Sequence, residues 1–171
     1  VALAIPLYTQ FRRVRSLLLP VVAGLVAGSL TAALSAIAVA RLFGASLPTQ
    51  LSLAPKSVTT PIAMGIAERI GGLPSLTAVL VITTGILGAV SARFIYQALG
   101  IADHAVRGFA IGVASHGIGT ARAFQNHYKR TLLHLVSEQA GAFSGLAMGL
   151  NALVTALLVP LVLPWLQRWI Q

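Results

Sequence analysis

The 171-residue chain holds 57% hydrophobic and only 9% charged residues, where soluble domains carry about a quarter charged, so an ordinary soluble domain is excluded. Twelve Lys and Arg against three Asp and Glu give a formal charge of +9, but the cations are scattered instead of forming an aromatic-interleaved face, which argues against nucleic acid and for anionic lipid and the positive-inside rule. No cysteine is present, so there is no disulfide framework and no thiolate metal site.

At about 20 residues per helical crossing the length allows at most about seven spans. The sequence opens on Val1, and the short apolar stretch Val1 to Leu7, interrupted by Pro6 and followed by Arg12, Arg13 and Arg15, reads as the tail of a helix from a truncated or processed N-terminus. A charge at the bilayer centre costs about 3 kcal/mol, so the gaps between charges locate the spans. Three gaps are long enough: Leu17 to Ala40, Ile70 to Ala92, and Gln139 to Gln167, the last expected to break near Pro160 and Pro164. Gly24 with Gly28, and Gly141 with Gly145 and Gly149, mark small-residue faces for helix packing.

Between Arg41 and Glu68 lie 26 residues with one charge, Lys56, set between Pro55 and Pro61. A continuous helix through both prolines is disfavoured, whereas two half-helices meeting at a hydroxyl-rich, unwound segment satisfy length, charge and prolines together. The second half is expected to start with Thr59 or Thr60 as N-cap and Pro61 at its first helical position, offering open N–H groups to an anion. From Arg107 to Lys129 a second apolar stretch is interrupted by Ser115-His116-Gly117-Ile118-Gly119-Thr120 and then Arg122. Here the glycines permit unwinding, and Thr120 is placed to cap the helical segment on its C-terminal side. The two interruptions share a loose pattern, Ser57-x-x-Thr60 against Ser115-x-x-x-x-Thr120, too slight by itself to establish an inverted repeat.

Lys56 reads either as a loop lysine in water or as a cavity-facing charge; 14 uncharged residues before it and 11 after it favour the cavity. Arg122 reads as a side chain snorkelling from a helix end or as a bidentate carboxylate clamp, and His116 as a proton relay or a structural hydrogen-bonder. The only acids, Glu68, Asp103 and Glu138, lie at the edges of the apolar windows, so no carboxylate pair is available at membrane depth for sodium or a counted proton. No catalytic triad, metal cluster or nucleotide-binding glycine loop is present: an enzyme is not expected, and neither a metal nor another cofactor. The complementary ligand of a cationic, hydroxyl-rich interior is a small anion.

The segments Pro55-Lys-Ser-Val-Thr-Thr-Pro-Ile-Ala-Met64, Ile70-Gly-Gly-Leu-Pro-Ser-Leu-Thr-Ala78, Thr84-Gly-Ile-Leu-Gly-Ala89, Ala114-Ser-His-Gly-Ile-Gly-Thr-Ala-Arg122 and Gly141-Ala-Phe-Ser-Gly-Leu-Ala-Met148 resemble the LrgB/CidB family of bacterial membrane proteins over nearly the whole chain. The resemblance implies part of the cation:proton antiporter and bile-acid symporter type fold, with crossed discontinuous helices. It also implies a small LrgA/CidA partner resembling a holin, effects on murein hydrolase activity and autolysis, and kinship with the plastid glycolate/glycerate translocator and with pairs linked to pyruvate uptake. Against the family pattern about two N-terminal helices are expected to be absent, and residues 126–135 read as an insertion.

The sequence therefore predicts a single LrgB-like transmembrane domain over residues 1–171. It is an all-α polytopic protein of the bacterial cytoplasmic membrane with three continuous and two discontinuous segments. The expected function is a transport subunit for a small monocarboxylate, bound by Lys56, Ser57, Thr59 and Thr60 on one interruption and Ser115, His116, Gly117, Gly119, Thr120 and Arg122 on the other. The alternative is an antiholin-like regulator of murein hydrolases without transport of its own. A homo-oligomer is compatible with either. Arg12, Arg13 and Arg15 point the end before the first span to the cytoplasm, a bias that Arg41 dilutes.

Overall fold

The computed structural model describes residues 8, 11–124 and 138–170; the expected insertion at 126–135 lies outside them. Among the described residues all regular structure is helical: α1 (Phe11–Ser16), α2 (Leu18–Leu42), α3 (Leu47–Leu53), α4 (Thr60–Ile70), α5 (Pro74–Ala98), α6 (His104–Phe124) and α7 (Glu138–Ile170). Three stretches are long and apolar enough to cross a membrane, Leu18–Leu42, Pro74–Ala98 and Gln139–Val162, as the gaps between charges predict.

Local chemistry sets the helix ends. Thr59 is the extended N-cap residue of α4 and Pro61 lies in its first turn, where a missing N–H costs nothing; Pro74 opens α5 in the same way. At the far end of α4, Gly71 adopts φ +85°, which lets the Gly72 N–H donate to the Ala67 carbonyl at 2.8 Å. The Asp103 carboxylate accepts from the Ala105 and Val106 N–H groups at 2.7 and 3.1 Å and so caps α6. The expected break in α7 is absent: the helix continues through Pro160 and Pro164, as membrane helices do where local backbone adjustment and neighbouring groups satisfy the freed carbonyls.

Contacts layer the helices. Val21, Ala105 and Phe143 cluster near the starts of α2, α6 and α7; Leu25, Val113 and Ala147 form the next layer. At the other end Ile37 and Val159, from the later halves of α2 and α7, pack with Leu51, Val58 and Ile70. Thus α2 and α7 run side by side in the same direction. Tyr96, near the end of α5, donates its hydroxyl to the Arg107 carbonyl at 2.9 Å, so α5 runs the opposite way.

Helix α6 does not run straight. His116 has φ +41° and ψ −133°, outside the helical region. In a straight helix Ile111 and Gly119 are about 12 Å apart along the axis. Here a β-carbon on Gly119 would lie 2.7 Å from the Ile111 carbonyl oxygen, and Ala123 shares a cluster with Ile111, Ala92 and Tyr96. The arm 104–115 climbs α7, Gly108 against Ala140 and Gly112 against Ser144, and the arm 117–124 descends it, Thr120 beside Ser144 and Phe124 over Gly141. The segment is a hairpin that enters and leaves at the end where α2 and α7 begin. Unwinding around the glycines was the expectation; the reversal instead falls on His116 itself.

The other interruption also folds back. The Ser52 hydroxyl of α3 accepts from the Leu73 N–H at 2.8 Å, and the Thr77 hydroxyl donates to the Ser52 carbonyl at 3.1 Å, so the chain after α4 returns beside α3. Helices α3 and α4 with their turn at 54–59 therefore make a second hairpin, entering from the opposite end of the bundle. Each hairpin is followed by a spanning helix, α5 or α7, and the two hairpin-plus-span units point in opposite directions.

The closest approach to another helix's backbone uses glycines from α6. A β-carbon at Gly108 or Gly112 would fall on the backbone of Ala140 or Ser144. The expected Gly141 and Gly149 face serves otherwise: Gly141 receives the Phe124 ring, and Gly149 has nothing within 4 Å. Gly24 and Gly28 of α2 do pack, against Phe109 and Val113. Replacing Gly112 with Val should cost about 1–3 kcal/mol or more by forcing α6 off α7. Thermal melting in detergent should show this loss, with Gly149→Ala melting like the parent chain.

Candidate functional site

The two hairpin tips converge on one side chain. Asn151, midway along α7 and fully buried, donates from Nδ2 to the Ser57 carbonyl at 3.1 Å and to the Val113 carbonyl at 3.2 Å. Both acceptors are carbonyls, so the amide nitrogen must face them and its assignment is fixed by chemistry. Its oxygen lies 2.5 Å from the Ser29 hydroxyl of α2. One carboxamide thus ties α2, α7 and both hairpins together. Val113 belongs to the last turn before the reversal, where carbonyls lose their helical partners, and Ser57 to a turn with no helical ladder; Asn151 supplies donors to both.

The tip of the α6 hairpin rests on α5. The His116 ring Nε2 lies 2.8 Å from the Val81 carbonyl and packs over Gly85, where a β-carbon would be 2.7 Å from that nitrogen. A carbonyl only accepts, so Nε2 carries the hydrogen. A non-glycine residue with this backbone costs about 1–3 kcal/mol, and the cross-helix bond and the fit to Gly85 are what hold it. Ser115, fully buried, fills the space left by the missing side chain of Gly88, and its hydroxyl has no partner among the described residues. Each tip is consequently held by the spanning helix of the opposite unit: Ser57 by α7, His116 by α5.

Thr120 does not cap an N–H group. Its hydroxyl contacts the His116 carbonyl at 2.9 Å and the Ser144 hydroxyl at 3.0 Å, fastening the descending arm to α7. Ser57, Ser115, His116, Gly119 and Thr120 are buried; Lys56, Thr59, Thr60 and Gly117 are half-buried; Arg122 is exposed on the last turn of α6. Asn151 brings together the Ser57 carbonyl of the first predicted group and the Val113 carbonyl, two residues ahead of the second group, while Arg122 stands at the outer end of its hairpin. A groove of about 20 Å³, room for about one water, lies between α2 and α7 over Ser29, Ala54 and Thr155. Among the described residues no three metal-ligating side chains converge.

Sequence reasoning passed over Asn151, Ser144, Ser29, Val81 and Gly85. A signal existed for the first two: Ala140, Ser144, Ala147, Asn151 and Thr155 form a small and polar stripe at helical spacing inside an apolar span.

The profile of the LrgB-like family matches residues 1–165. The chain belongs to the LrgB-like family. It is 35% identical over 154 residues to the uncharacterized protein YwbG of Bacillus subtilis, an alignment covering 90% of this chain and 64% of YwbG. To the holin-like protein CidB of Staphylococcus epidermidis it is 27% identical over 154 residues, with 90% of this chain and 63% of CidB aligned. CidB of Staphylococcus aureus is 25% identical over the same shares. The chain thus spans somewhat less than two thirds of the length of these relatives. No solved structure matches. The resemblance seen in the motifs is therefore met, and in this LrgB-like chain two of those motifs, Pro55–Met64 and Ala114–Arg122, carry the hairpin tips.

The backbone at His116 is open to a direct test. His116→Ala loses the bond to Val81 and keeps the strain, whereas His116→Gly loses the bond but relieves the strain. The Gly variant should be more stable than the Ala variant by about 1–2 kcal/mol. Melting curves in the reverse order would mean that residue 116 is helical.

Proposed function

We propose that this LrgB-like chain is a membrane-embedded subunit that moves a small monocarboxylate of the pyruvate, glycolate or glycerate type across the bacterial cytoplasmic membrane, together with a small LrgA/CidA-like partner. The observation that carries this reading is the first hairpin. Lys56 sits half-buried in the turn ahead of α4, a helix whose start at Thr59 and Thr60 offers N–H groups and hydroxyls, all within a stretch that has no other charge between Arg41 and Glu68. A cation, hydroxyls and a helix N-terminus are complementary to a carboxylate with a neighbouring oxygen. Two hairpins entering from opposite ends and meeting at mid-depth support the broken-helix construction of transporters, in which interrupted backbone is tolerated only where protein or a cavity satisfies it. The kinship with the antiporter and symporter type fold remains part of this proposal.

On this reading Lys56 attracts and orients the carboxylate, Thr59 and Thr60 contact its 2-substituent, and the α6 tip with Ser115, His116 and Thr120 closes the opposite side. Arg122 meets the anion at the hairpin mouth.

A second reading has its own support in the relatives' printed names: CidB is holin-like, and the LrgB/CidB resemblance implies regulation of murein hydrolase activity and autolysis. Transport and lysis control are compatible, since altered carboxylate flux changes membrane energetics.

Uptake of radiolabelled pyruvate or glycolate into vesicles holding the full-length protein and its partner tests the site. Lys56→Ala should lower uptake about tenfold or more through loss of a charged hydrogen-bonding group, and Lys56→Arg should retain part of it. Unchanged uptake in Lys56→Ala would remove this site; lysis phenotypes that persist in the same variant would favour the regulatory reading.

A further inference from the structure

We propose that Asn151 is a shared latch: its one carboxamide nitrogen holds the tips of both hairpins shut, so that each hairpin opens toward its own end of the bundle only when this side chain lets go. The inference deepens the transport reading and rests on it for what the opening serves, while the latch itself is defined without a substrate.

The geometry is specific. Nδ2 carries two hydrogens, and the two carbonyls it meets belong to different hairpins, Ser57 at 3.1 Å and Val113 at 3.2 Å. The side chain is fully buried in α7, which runs the length of the bundle and enters neither hairpin. Its oxygen lies 2.5 Å from the Ser29 hydroxyl, whose single hydrogen is shared between that oxygen and the Leu25 carbonyl at 2.7 Å. A residue serving packing alone needs volume at this place and not two donors. Without the donors, two carbonyls in a low-dielectric interior are left unsatisfied, and each is restored most readily by water entering from the end at which its own hairpin opens. Because the hairpins enter from opposite ends, loosening one side chain gives two openings on opposite sides.

The absence of cysteine makes the test clean. Single cysteines are introduced as Val58→Cys on the first hairpin and Ser115→Cys on the second, both at fully buried positions. The chain is reconstituted in vesicles and labelled with a membrane-impermeant maleimide applied to one face or the other, with no carboxylate present. Asn151→Leu keeps about the same volume and removes both donors. It should speed labelling at both positions by about tenfold or more, Val58→Cys from one face and Ser115→Cys from the opposite face. Thr155→Val, a buried neighbour whose hydroxyl touches Asn151 but neither hairpin, should speed neither. Ser29→Ala, which removes only the hydroxyl beside the Asn151 oxygen, should give a smaller rise at both, about threefold, and decides the matter if Asn151→Leu fails to reach the membrane folded. A rise at one position alone, no rise at either, labelling of both from the same face, or an equal effect of Thr155→Val overturns the latch. Since no carboxylate enters the assay, an LrgB-like chain that transports nothing can still pass it, and a transporting chain can still fail it.

Discussion

A buried amide governs this fold because of where it sits. Inside an apolar bundle a backbone carbonyl without a donor costs several kcal/mol, and a chain that turns back within the bundle creates such carbonyls at the turn. Asn151 answers two of them from a single side chain, and its oxygen lies against the Ser29 hydroxyl. The hairpins, the crossing of α6 over α7 and the polar stripe on α7 all have to be arranged around that one group. Gly112 brings α6 onto the backbone of Ser144, close enough for Val113 to be reached, and Val58 packs among Ile37, Ala152 and Val159 so that Ser57 arrives on the other side.

The two tips are stabilised by different chemistry. At the first, the tip is fixed by burial of Ala54 and Val58 in an apolar cluster, beside the hydrogen bond from Asn151 to the Ser57 carbonyl. At the second, a strained histidine reaches across to the Val81 carbonyl, and glycines on α5 open the space for it. Strain at a tip is tolerable only when several contacts determine the backbone together, and Gly85, Gly88 and Thr120 provide them. A side chain at either glycine would press on a residue of the opposite unit and so weaken a contact that both units depend on.

The sequence made some of this legible and concealed the rest, and the division follows the range of the forces. The three spans could be read because exclusion of charge is a property of composition along the chain. The start of α4 could be read because Thr59 and Pro61 act on their own neighbourhood. The hairpins could not, since 104–124 has the same composition whether it runs straight or folds back; the difference lies in Gly119 meeting Ile111 and Phe124 meeting Gly141, contacts between residues distant in sequence. Asn151 escaped because an amide carries no charge, and a search built on gaps between charges passes over it. The prolines of α7 misled for a related reason: a missing N–H terminates a helix only when nothing else supports the turn.

The fold-back of α6 also changes how the charges are distributed between the two faces. Had the segment crossed, Arg107 and Arg122 would stand on opposite faces and cancel as signals. Folded back, both lie at the end where α2 begins, with Arg12, Arg15, Arg93 and Asp103, while the other end keeps Arg41, Arg69 beside Glu68, and Arg168 in the last turn of α7. For the machinery that inserts a membrane protein, such an imbalance is an address, and the positive-inside rule reads the arginine-rich end as the one retained in the cytoplasm. A reversal at a single histidine therefore bears on which way round the entire bundle is threaded.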